Sequence, residues 1–97
     1  MFGLGAADWE ILRQECIDPL KDAGAKVWVF GSRARGDYTK FSDIDILYEF
    51  QINSKRSITA IKNNLEESRL SIKVDLVSIN ELADSYKSSV LKERISV

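Results

Sequence analysis

Two strand-length apolar runs held apart by a charged loop set the tightest limit on how this chain can fold. "KVWVF" occupies 26–30, "DIDILYEF" occupies 43–50, and "GSRARGDYTKFS" lies between them. The first run reads as a short buried strand. The second alternates, with Ile44, Ile46 and Tyr48 on one side and Asp43, Asp45 and Leu47 on the other. The loop at 31–42 holds at most one turn of helix, near Ser32.

Helical patterns surround these runs. Trp9, Leu12, Cys16 and Leu20 recur at helical spacing, with Asp8 as the cap, Pro19 kinking or ending the helix and Gly24 closing it. Residues 57–70 read as a helix with Ile58, Ile61 and Leu65 on one face. "SIKVDLVSI", 71–79, reads as a third strand, with Ile72, Val74 and Leu76 opposite Asp75 and Val77. Asn80 is the expected cap of a last helix carried by Leu82, Tyr86, Val90 and Leu91. The order α-β-(turn)-β-α-β-α predicts an α/β (α+β) fold: a small mixed β-sheet with helices packed mainly on one face. Spacing leaves the relative direction of the second and third strands open.

At 97 residues the chain has room for one domain, 1–97, and no repeat or linker divides it. Lys and Arg number 14 against 15 Asp and Glu, a net charge of −1 that offers no global basic field for nucleic acid. Direct nucleic-acid binding is therefore not expected. The single cysteine, Cys16, excludes an intrachain disulfide and is expected in the core. No apolar run reaches membrane-spanning length and the acidic N-terminus does not resemble a secretory signal, so no membrane role and a cytoplasmic location are expected. Histidine is absent, which removes histidine metal sites, histidine bases and Ser-His-Asp triads together.

The remaining chemistry gathers in 29–46. Asp43 and Asp45, two apart on a strand, put both carboxylates on one side, with Cα atoms roughly 6–7 Å apart. Two like charges this close call for a cation or a proton between them. Ligands that are all oxygen favour Mg²⁺, or Mn²⁺, completed by substrate phosphates. Asp75 supplies a third carboxylate if its strand neighbours theirs; otherwise it pairs with Lys73 or faces solvent. Three carboxylates suit a two-metal clamp on a phosphoryl displacement. Upstream, Gly31 allows close backbone approach and Ser32 opens a helical turn whose N-terminus attracts anions. Arg33 and Arg35 offer phosphate donors. A Gly-Ser pair, ten residues and Asp-x-Asp arise by chance in on the order of one chain of this length in a thousand, so the combination outweighs its separate parts. Rival phosphate motifs fail: Asp37-Tyr38 stand where a P-loop needs Lys-Ser/Thr, and "GLGAAD" has no preceding strand.

"FGSRARG", "SDIDI" and "VDLV" resemble the minimal nucleotidyltransferases of the DNA polymerase β superfamily, and the element order agrees over nearly the whole chain. The resemblance implies that Gly31 and Ser32 hold the nucleotide phosphates with help from Arg33. It implies that Asp43 and Asp45 bind two Mg²⁺ ions, and that Asp75 completes the site and helps deprotonate the attacking hydroxyl. The implied reaction moves NMP from an NTP, ATP foremost, to a hydroxyl and releases pyrophosphate. Larger relatives carry acceptor-binding domains, so a partner is expected to present the acceptor here, in a homo- or hetero-oligomer. Proteins resembling this one are commonly encoded beside a small helical HEPN ribonuclease toxin, act as its antitoxin, and in some cases transfer AMP to a toxin tyrosine. Two alternatives stand beside that reading: a non-catalytic antitoxin that neutralises its partner by binding, and transfer to a small molecule such as an aminoglycoside.

Overall fold

The computed structural model describes residues 1–50 and 58–97. The first helical segment is built in three pieces. Helix α1, Ala6–Leu12, runs into a π-helical turn, Arg13–Ile17, and then α2, Asp18–Asp22. Asp18 N–H reaches back five residues to the Arg13 carbonyl. Pro19 follows directly; it has no N–H to give, and in a regular helix its ring presses on the carbonyl four residues back. The widened turn lets the segment continue past the proline. Leu12, Cys16 and Leu20 are fully buried as their spacing predicts, and Gly24, at φ +89°, closes the segment. The cap differs from expectation: Gly5 is the N-cap, and the Asp8 carboxylate accepts from Ser71 N–H and Oγ.

Strands β1 (Ala25–Phe30), β2 (Ile44–Phe50), β3 (Val74–Ser78) and β4 (Ile95–Ser96) form one sheet in the order β3-β2-β1-β4. β1 pairs antiparallel with β2 and β4, and β2 pairs parallel with β3, so the sheet is mixed. Strand β4 was not legible in the sequence. Helix α4 (Ile58–Glu67) lies between β2 and β3 along the chain and buries Ile61; Ser57, the expected first residue of this helix, lies outside the described residues.

The principal core lies on one side of the sheet, where Val27, Val29, Ile44, Ile46 and Leu76 meet Leu12, Cys16, Leu20 and Ile61. Full burial of each large aliphatic side chain contributes about 1.5–3 kcal/mol. The opposite side carries a smaller cluster, Trp28, Leu47 and Val90, the last from helix α5 (Asp84–Glu93). The start of α5 also departs from expectation. Ser78 and Glu81 form a capping box around a 3₁₀ turn, Ile79–Glu81, and Ala83 is the N-cap of α5, so Asn80 caps nothing. Tyr86 is 53% exposed; Val90 is the residue that α5 buries. Among the described residues, no helix is long and apolar enough to cross a membrane.

Candidate functional site

β1 delivers the chain to Gly31, where φ is +75° and the backbone turns sharply into α3, Ser32–Arg35. The Gly31 carbonyl accepts from Ala34 and Arg35 N–H, and Gly36, at φ +92°, ends the turn. A Cβ placed on Gly31 would stand 2.1 Å from Asp45 Oδ2. A side chain is therefore excluded twice, by backbone conformation and by the carboxylate seated against it.

Register brings the acidic residues together. Phe30 is opposite Asp45 across β1–β2, and Asp45 is opposite Asp75 across the parallel β2–β3 pair. Asp43 lies just before β2, which begins at Ile44, and Ile44 N–H bonds the Lys73 carbonyl. Asp43 and Asp75 are exposed and Asp45 is half-buried. Burial, then the charges of Asp75 and Asp43, push the Asp45 carboxyl up to about 6. Among the described residues, no three histidine, cysteine or acidic side chains converge closely enough to form a closed metal cage. The donor set is nonetheless the hard-oxygen kind that Mg²⁺ takes with the help of phosphate oxygens. A cation beside Asp45 would also relieve the repulsion that raises its pKa.

The two arginines part company. Arg35 is exposed and pairs with Asp37 and Glu93. Arg33 departs from its expected phosphate role, because its guanidinium is buried and already engaged by backbone carbonyls. It donates to Ser42 O at 2.9 and 3.0 Å, to Phe2 O at 2.9 Å and to Lys40 O at 3.5 Å, and lies 5.0 Å from the centre of the Tyr38 ring. Arg33 thus ties the N-terminal segment to the loop that leads into Asp43. The Phe2, Lys40 and Ser42 carbonyls lie outside helix and strand, and one long planar cation takes all three.

Glu93 went unnoticed in the sequence. From the last turn of α5 its Oε1 accepts from Gly31 N–H at 3.2 Å, and both its oxygens accept from Arg35 Nη1 at 3.2–3.3 Å. It stands in a Lys/Glu-rich helix that reads as a solvated face, and no local pattern marks it. A groove of about 390 Å³ runs along β3, with Asp75, Lys62 and Lys73 among its lining residues. Cys16 takes no part: burial pushes its thiol up to about 12.

Comparison with known proteins identifies the family. The family model for the nucleotidyltransferase domain matches residues 10–97. A Methanocaldococcus jannaschii protein assigned as a protein adenylyltransferase is 35% identical over 89 residues, 91% of this chain and 95% of its own. The protein adenylyltransferase MntA of Thermococcus cleftensis is 36% identical over 73 residues, 74% of this chain and 73% of its own. A solved structure assigned as a minimal nucleotidyltransferase superposes with a TM-score of 0.69 at 32% identity, covering 97% of both chains.

Proposed function

This chain belongs to the nucleotidyltransferase domain family, as a minimal nucleotidyltransferase, and we propose that it moves AMP from ATP to a hydroxyl of a partner protein. The observation that supports the reading is the seating of the Asp45 carboxylate against Gly31, which sets the acidic residues beside the Gly31-Ser32 turn. In this reading Gly31 N–H, Ser32 and Arg35 hold the triphosphate. Asp43, Asp45 and Asp75 would hold Mg²⁺, which when bound neutralises phosphate charge and lowers the pKa of a coordinated hydroxyl.

The protein's own part is orientation and proton transfer. Asp75, exposed at the β3 edge and beside the groove, takes the proton of the acceptor hydroxyl. The freed oxygen attacks the α-phosphorus, the new P–O bond forms, and the bond to the β-phosphate bridge breaks. Pyrophosphate leaves with that electron pair, and the Arg35 guanidinium offsets its charge. Arg33 acts at a distance, holding the loop that positions Asp43.

The adenylyltransferase relatives support a protein acceptor. The resemblance of the motifs narrows it to a tyrosine of a HEPN-type toxin, with this chain as antitoxin in a hetero-oligomer. The test is to purify the chain with the protein encoded beside it, add ATP and Mg²⁺, and weigh both. A partner heavier by one AMP is expected. Unchanged masses with toxicity still blocked would replace this reading with neutralisation by binding alone.

A further inference from the structure

Taking Gly31 and Arg35 as phosphate donors, we infer that Glu93 is a built-in occupant of the triphosphate cradle, an internal anion that the nucleotide must displace. The inference rests on the phosphate-binding reading above and adds a gate to it. The Glu93 carboxylate takes the Gly31 N–H at 3.2 Å and the Arg35 Nη1 at 3.2–3.3 Å, two donors that a phosphate oxygen would need. A backbone N–H makes one good hydrogen bond, so carboxylate and phosphate exclude one another there. Charge sharpens the point. Asp43, Asp45 and Asp75 already crowd this end of the sheet, and Asp45 feels Glu93 as a further repulsion. A fourth carboxylate is held beside them because the cradle donors offset its charge.

The gate can open without unfolding. Glu93 occupies the last turn of α5, and α5 has other anchors: buried Val90, Arg94 4.2 Å from the Trp28 ring centre, and β4 paired to β1. Rotation of one side chain frees the cradle while the helix stays in place. Nucleotide occupancy is thereby coupled to the position of the Glu93 side chain.

The alternative is a plain clip that fastens α5 to the loop, and the two differ in sign. Titration of the full 97-residue chain with AMP-PNP and Mg²⁺, by calorimetry, is expected to give a dissociation constant about three- to tenfold lower for Glu93→Gln than for the wild type. This is the gain from removing a closed state that holds most of the population. Glu93→Ala is expected to shift the same way, and in the wild type the Glu93 Cδ resonance is expected to move to its solvated position as nucleotide binds. Equal or weaker binding by both variants, or an unmoved Cδ resonance in a nucleotide-bound wild type, would overturn the gate and leave the phosphate site standing. No binding by wild type or variants would overturn both.

Discussion

Gly31 and Asp45 touch, and the most exacting expectations at the residue scale follow from that contact. Gly31→Ala puts a methyl into the carboxylate at a positive φ; transfer is expected to fall at least about a hundredfold, with a stability loss of about 1–3 kcal/mol, read by single-turnover assay and thermal melts. Asp45 sets a pH dependence. Its carboxyl is raised from 3.8 to about 6, so the folded state binds the proton more tightly than the unfolded chain. The group's contribution to stability is therefore largest below about pH 4 and is lost as pH rises to about 6. Asp45→Asn removes the ionisation; discounted for partial exposure, the relief is on the order of 1 kcal/mol, or about 4–8 °C in Tm. Melts should show the variant more stable than wild type at pH 8, the gap closing by pH 4, and Mg²⁺ raising Tm only in the wild type. Transfer should be abolished at every pH. The arginines separate by readout. Arg33→Ala strands three carbonyls and is expected to cost about 3 kcal/mol, a fall in Tm of more than about 10 °C. Arg35→Ala, which loses its solvent-screened ion pairs to Asp37 and Glu93, should leave Tm nearly unchanged and raise KM for ATP about tenfold.

Among the elements, α5 is the least secured. Val90 is its one buried residue, and truncation to alanine is expected to remove about 2 kcal/mol. Hydrogen exchange should quicken across 84–93 while β1 and β2 keep their protection, because the principal core lies on the other face of the sheet. The elements also divide by how legible they were. β1 was readable as a short continuous apolar run and β2 by its alternation, both written directly into the chain. Helix α4 was readable in Ile58, Ile61 and Leu65, which share a face and pack on the core. The start of α5 departs from the expected one, since Asn80 lies within a Ser78–Glu81 capping box that belongs to a 3₁₀ turn rather than to the helix. β4 was invisible: two residues carry no period, and Ile95 and Ser96 become a strand only because the β1 edge is there to pair with.

At the scale of the whole molecule, local and long-range information separate cleanly. The amino-acid sequence alone determined the Gly-Ser turn, the Asp-x-Asp strand and the helical segments before and after them, and its composition excluded histidine chemistry. The turn, strand and helices depend on residues within a few positions of one another, where spacing along the chain is spacing in space. Only the tertiary structure decided that β2 and β3 run parallel with Asp75 opposite Asp45. It alone took Arg33 into the loop interior and carried Glu93 across 62 residues to the Gly31 amide. Those outcomes depend on which strand edges and carbonyls lack partners once the core has closed. A chain read in order cannot show that, because the partners are chosen by packing and not by spacing.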